Sequence, residues 1–498
     1  MSFARLDTLN RRLEGLDHAQ LMLAVDEAVM MPPGGGAKRA EALATLAAMS
    51  HELTTAPEVA TWIDEAAGEK LDAAQEAALR EFRRQHRNLT CLSSDFVARQ
   101  VNARIRCEQL WRELRPRNDW QGFLPAFAGV VALAREEAER RSQALGLPPY
   151  DAMLDQYDPG SRASAIEPLF ADLALFLKDA LPRAIAADAR KRRTRPAKPL
   201  PGPFAIDDQK RLGLTLMEAI GFDFDRGRLD ISHHPFCNGI ADDVRMTTRY
   251  QESEFISSLM GILHETGHGL YEQNLPRARS HWPSGKARGM ALHESQSLFQ
   301  ETQVARRREF WEFAMPHVRR HLGQEKFAGW EADDMLAHVQ RVAPGLIRVD
   351  ADEATYPLHI ILRFEIEQEL IAGDLAPADL PARWDEGMRR LLGLSTLGNE
   401  KDGPMQDVHW PSGAFGYFPS YALGALLAAQ MWEEAERAIP DLRGRIAGGD
   451  FAGLNAWRSA QVWSKASSLP MDELIRAATG KPLGTDAFKR HLTERYLT

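Results

Sequence analysis

The sequence predicts a large all-α protein carrying one small antiparallel β-sheet. Three observations lead there. Apolar residues recur at three- and four-residue spacings through most of the 498 positions. One segment, before residue 250, alternates with a period of two instead. No self-similarity occurs at a period of about 20 to 50 residues, which disfavours a helical solenoid.

From the N-terminus, "MSFARLDTLNRRLEGLDHAQ" lacks the apolar stretch and small-residue cleavage site of a secretory signal, and no run of about 18 apolar residues follows anywhere. A cytoplasmic protein is expected, with no membrane partner. At 30–43, "MMPPGGGAKRAEAL" is a Pro/Gly break that launches a new helix. "AAQEAALREFRRQHRNL", "DFVARQVNARIRCEQLWREL" and "LPAFAGVVALAREEAERRSQAL" each carry an apolar stripe with Arg and Glu between, the pattern of a helix with one face on a core. "RKRRTRPAKPLPGPF", 190–204, reads as a basic, proline-rich surface connector. No domain boundary stands out, so residues 1–498 are expected to form a single domain.

The exception to helix is "RLDISHHPF" (228–236) and "DVRMTTRY" (243–250), β-branched and alternating, with the turn-rich "CNGIAD" between them. An antiparallel strand pair is expected. It lies just before the most informative helix, where a strand can pair with an extended peptide backbone.

Composition narrows the function. The chain is 44% hydrophobic and 26% charged, and 61 Lys plus Arg against 70 Asp plus Glu leave a net charge of −9. That balance argues against a nucleic-acid binder. Cys91, Cys107 and Cys237 are an odd, sparse set without C-x-x-C spacing, so neither a disulfide framework nor a cysteine zinc site is expected.

The informative helix contains "GILHETGHGLYEQ", 261–273. Phe255, Ile256, Leu259, Met260, Ile262 and Leu263 precede the motif and support a helix over 253–273. On it His264 and His268 are separated by about 6 Å of rise and project from one face, where both imidazoles reach one ion. Glu265, turned about 100° from His264, falls near the metal's water rather than on the metal. Glu272 lies about 12 Å of rise from His264, too far to share the ion. A catalytic zinc usually takes three protein ligands and keeps one position open. The third comes from another segment, and "MALHESQSLFQE" (290–301) offers His293, Glu294 and Glu301 without spacing choosing among them.

Six blocks in order resemble the M32 metallocarboxypeptidases, the carboxypeptidase Taq family, over nearly the whole chain. They are "HPF" at 234–236, "DVRMT" at 243–247, "HETGH" at 264–268, "HESQ" at 293–296, "IRVDAD" at 347–352 and "GPMQDVHW" at 403–410. The resemblance implies an all-helical fold with a deep cleft, the small sheet at its wall and N-terminal helices (about 1–110) as a lid. It also implies a homodimer that removes C-terminal residues from peptides with broad specificity, using zinc, for which cobalt can substitute. By the same resemblance Glu294 is the third ligand and His293 only a neighbour. Two departures stand out: Leu298, Phe299 and Gln300 replace the Arg-Leu-Trp common in relatives, and Val25 replaces a usual Trp.

On this reading zinc polarises the scissile carbonyl and acidifies its bound water. Glu265 takes that proton and returns it to the leaving amine. "DVHWPSGAFGYFPSYALGAL" supplies candidate oxyanion donors, His409 and Tyr421 first and Tyr417 next. A free carboxylate is best met by a guanidinium fork, which makes Arg348 the first candidate and Arg245 the second; His234, of the first block, is the remaining substrate-binding expectation. Two alternatives compete: an oligopeptidase on the same zinc fold, and a non-enzymatic helical interaction protein. Glu265 argues against the latter, because a purely structural zinc site does not need it.

Overall fold

Helix boundaries fall where local chemistry puts them. Asp72 and Gln75 cap the helix Ala73–Thr90 reciprocally, at 2.9 and 3.0 Å, which satisfies two backbone N–H groups that the first turn leaves unpaired. The Pro/Gly break separates Ser2–Val29 from Gly36–Thr55 as expected. In the computed structural model, which describes residues 1–497, such segments build twenty α-helices and one three-stranded sheet. None of the described helices is long and apolar enough to cross a membrane.

Most buried apolar side chains join one continuous core running from Cys107 to Tyr496. A second, smaller core lies among the N-terminal helices, around Phe3, Leu6, Ile63, Leu79 and Phe82. The helix Ser94–Leu114 contributes Cys107 to the main core. The connector at 190–204 is revised. Helix Ala163–Thr194 runs into its basic half, and Arg195 and Lys198 pair with Asp334 at 3.1 and 2.8 Å instead of facing only water.

The sheet corrects the expected topology. β1 (Gly227–Ile231) and β3 (Asp243–Thr248) do pair, but in parallel; β2 (Phe236–Ile240) lies on the other side of β3, antiparallel to it, giving the order β1-β3-β2. The segment "CNGIAD" looks like a turn because of Asn and Gly, yet Cys237–Ile240 are extended and only Ala241–Asp242 turn. That extra strand reverses the direction in which β3 meets β1.

The sheet packs on the helix Ile256–Gln273. Period-two alternation sends Val244 and Met246 into the core, with Met246 against Gly269 of that helix. A second helix, Met290–Leu298, crosses the first at backbone contact: a Cβ on Gly267 would meet the backbone of Gln296 and come within 2.6 Å of Ser297 Cα. Gly424, on the helix Pro419–Ala438, likewise lets Glu294 pass, since a Cβ there would sit 3.0 Å from Glu294 Cβ.

Candidate active site and metal centre

The close crossing of the two helices brings the histidines of one against the glutamate of the other. Nitrogens of His264 and His268 and a carboxylate oxygen of Glu294 all lie within 4.8 Å of one another, with His268 Nε2 3.6 Å from Glu294 Oε2. Glu301 is placed differently. After Leu298 the helix widens into a π-helical segment, Phe299–Ala305, which swings Glu301 onto the far nitrogen of His264, Nδ1, at 3.0 Å. A carboxylate on Nδ1 fixes the ring's tautomer and leaves Nε2 as the nitrogen that could join His268 and Glu294 on an ion. Arg306 holds Glu301 in turn, at 2.7 Å. His293 pairs with Glu272 at 2.8 Å, so neither residue joins the group.

The electrostatics suit a divalent cation. Glu265, Glu294 and Glu301 are gathered around His264 with little water. Burial, reinforced by Glu294 and opposed by His264, pushes the Glu265 carboxyl up to about 7, and burial raises Glu294 as well. Burial alone would lower His264, but the Glu301 hydrogen bond and the surrounding carboxylates outweigh it and push it up to about 10. The protein alone therefore holds a proton where it has excess negative charge. Two imidazoles and a carboxylate are a donor set that zinc accepts, so the residues fit the metal that the motif implies.

These groups line a cavity of about 1010 Å³, together with Phe236 and Cys237 of β2, Pro235 just before it, and Arg348, Tyr356, Tyr417 and Tyr421. The three candidate donors are placed differently. Tyr417 and Tyr421 both face the cavity, while His409 stands behind, its Nε2 3.1 Å from the Tyr421 hydroxyl and its ring against Phe418 at 4.5 Å. The turns between Trp410 and Phe418 fold His409 under the start of the helix Pro419–Ala438. Burial and the Arg348 charge lower His409 to about 4, so its ring is neutral. Its Nδ1 is buried without a partner; with the proton on Nε2 that unpaired atom is only an acceptor, and Nε2–H donates to Tyr421.

Arg348 begins the short 3₁₀ turn Arg348–Asp350 and is 6% exposed. Its Nε donates to Asp407 Oδ1 at 3.0 Å and its Nη1 to the Tyr356 hydroxyl at 3.3 Å, while the guanidinium lies 4.9 Å over the Tyr421 ring. Arg245 is elsewhere. Alternation along β3 turns it away from the Met246 face, and it pairs with Asp243, outside the cavity wall. His234 is exposed, edge-on against His233 with ring centroids 4.5 Å apart, and its neighbour Pro235 lines the cavity in its place. Sequence reasoning missed the roles of Asp407, Tyr356 and Arg306. Asp407 stood inside a recognised block, but nothing in its spacing reveals a partner 59 positions earlier.

Comparison with known proteins agrees with this geometry. The family model for the carboxypeptidase Taq (M32) metallopeptidases matches residues 5–496. The chain is similar to thermostable carboxypeptidase 1 of Thermus thermophilus, 39% identical over 492 residues that cover 95% of this chain and 94% of that protein. It is also similar to thermostable carboxypeptidase 1 of Pyrococcus furiosus, 32% identical over 98% of this chain and 97% of the other. Among solved structures, Trypanosoma cruzi metallocarboxypeptidase 1 superposes with a TM-score of 0.95 at 39% identity, covering 100% of this chain and 99% of that one.

Proposed function

This chain belongs to the carboxypeptidase Taq (M32) metallopeptidase family and is a metallocarboxypeptidase; from that premise we propose that it is a zinc enzyme of broad specificity in which Glu265 activates the attacking water. The observation that carries the reading is the His264, His268 and Glu294 group, with Glu265 beside it in the wall of the large cavity. A zinc ion held by those three residues would supply Lewis acidity to the scissile carbonyl and to a water molecule.

The chain's own residues do the rest. Glu265, in the cavity wall beside that group, accepts the water's proton and passes it to the leaving nitrogen. Tyr421, fixed from behind by His409, is free to donate its hydroxyl proton to the developing oxyanion; Tyr417 is the second donor facing the cavity. The edge strand β2 offers Phe236 and Cys237 to the cavity, where an extended substrate backbone can add as a further strand.

Arg348 reads the free C-terminal carboxylate. Asp407 lies between two buried guanidiniums, those of Arg348 and Arg363, so the trio keeps one net positive charge for a substrate carboxylate. Met260, Met290, Leu298 and Val349 also line the cavity, an apolar and adaptable surface that supports broad specificity.

The N-terminal helices act as a lid. They have their own core, and they meet the remainder partly through polar pairs, His18 with Asp243 at 3.1 Å and Lys286 with Asp17 at 2.9 Å, that can part without opening the main core. The homodimer rests on the family resemblance, and three free cysteines suit a reducing cytoplasm.

Metal analysis of the purified protein, combined with a mass ladder from one long free-acid peptide and its C-terminal amide, tests the proposal. One zinc per chain and stepwise shortening of the acid from its C-terminus are expected. Internal cuts and equal rates on the amide would replace this reading with the oligopeptidase.

A further inference from the structure

Residues 491–496 reach the metal centre's supporting wall. Glu353, 7% exposed, has three partners there: Arg495 Nη1 donates to its Oε2 at 2.7 Å, the Tyr496 hydroxyl to the same oxygen at 2.6 Å, and His491 Nε2 lies 2.9 Å from Oε1. All three are buried, and none is used by the chemistry described above. Arg495 makes a second bond. The same Nη1 donates to the backbone carbonyl of Thr302 at 2.8 Å.

Thr302 is the residue after Glu301, in the π-helical segment. A π-helical turn is rare and frequently found at functional sites. Here a buried guanidinium is clamped between that carbonyl and Glu353. We propose that the C-terminal segment is a positioning element of the metal centre: Arg495, anchored by Glu353, fixes the π-helical segment so that Glu301 stays aimed at His264. Glu353 lines the cavity, but neither it nor Arg495 belongs to the His264, His268 and Glu294 group; they act through Glu301. The inference rests on the zinc reading of the site.

The test uses full-length protein with Glu353→Gln and Arg495→Met made separately, and reads the zinc dissociation constant by competition with a chromogenic chelator. Outer residues that orient ligands typically contribute about 10- to 100-fold to metal affinity, so zinc binding at least about 5-fold weaker is expected, with the far-ultraviolet circular dichroism of the metal-free protein retained. In a Glu301→Gln background the Glu353→Gln change should add less than about 2-fold, because both act along one path. A shift under about 5-fold in folded variants, an undiminished effect in the Glu301→Gln background, or failure of both variants to fold would overturn the proposal and leave the segment a structural role. If the parent itself takes up no zinc, the zinc reading falls and this inference with it; if the parent binds zinc and the variants bind it equally well, only this inference falls.

Discussion

The guanidinium of Arg348 is turned onto Asp407, with Nε and Nη2 lying 3.0 and 2.9 Å from the same carboxylate oxygen, Oδ1. The other oxygen, Oδ2, accepts from Arg363 Nε at 2.8 Å. One carboxylate thus orients two buried arginines, and only Arg348 lines the cavity. A pre-oriented, partly desolvated guanidinium is the kind of group that discriminates a free carboxylate from a neutral amide.

Arg348→Ala should therefore cut kcat/KM for a free-acid peptide by about 30-fold or more, corresponding to a loss of roughly 2 kcal/mol or more. The matching amide should be a poor substrate for the parent and lose little further. Equal proportional losses on both peptides, measured at equal zinc content, would remove Arg348 from terminus recognition.

Asp407→Asn should destabilise the fold by about 3 to 5 kcal/mol at neutral pH, because two buried guanidiniums lose their counter-charge. Burial by itself would raise the Asp407 pKa, but Arg363 and Arg348 hold it well below the usual carboxylate range. Its contribution is therefore present above the unfolded value, about 4, and is lost as pH falls through the lower folded value. Urea unfolding of parent and variant should differ fully at pH 7 and converge on strong acidification. A difference that instead grows in acid contradicts the assignment.

Replacing Glu265 with Gln keeps the side chain's shape and removes the base. A fall in kcat of at least about 100-fold is expected, with metal content unchanged. Steady-state kinetics paired with metal analysis check it, and activity within a few-fold of the parent would exclude Glu265 as the proton carrier.

Gly267→Ala should weaken metal binding although it alters no ligand. The added Cβ meets the backbone of Gln296 and Ser297, so the two helices must separate, and His264 and His268 move with one while Glu294 moves with the other. Overpacking of this kind costs about 1 to 3 kcal/mol or more. Thermal unfolding and a zinc titration read the two effects, and an unchanged zinc affinity would show that the crossing tolerates expansion.

Chelation should abolish activity, and zinc or cobalt should restore it. Helical circular dichroism should persist, because the main core is built from apolar contacts from Cys107 to Tyr496 rather than around one ion. Unfolding on chelation would make the site structural.

The chemistry-bearing part of the site was legible where it is local. A spacing of four residues in a helix sets the angle and rise between His264 and His268, and between them it places Glu265, before any tertiary contact forms. The helical texture and the strand-forming residues around 228–250 were equally readable, since periodicities of 3.6 and 2 are properties of the chain itself. Strand direction was not: β2 is hidden in a segment whose Asn and Gly read as a turn, and the backbone pairing partner, rather than composition, decides that Cys237–Ile240 extend.

From the residues alone the third ligand stayed open among His293, Glu294 and Glu301. The choice depends on where the helix Met290–Leu298 crosses the histidine helix, and on the π-helical widening that carries Glu301 past the ligand position to His264 Nδ1. The resemblance to a family supplied Glu294; the crossing at Gly267 and Gly424 supplies its physical reason. The exchange of His409 for Tyr417 at the cavity wall and the displacement of Arg245 and His234 from it have the same origin, as do the hold of Asp407 on Arg348 and that of Arg495 on Thr302. Each is a relation between segments that the chain keeps apart, or between the two faces of one segment. The sequence by itself determined which side chains are present and which helical face carries them, because that follows from the repeat of the backbone; only the packing of helix on helix decided which of them meet.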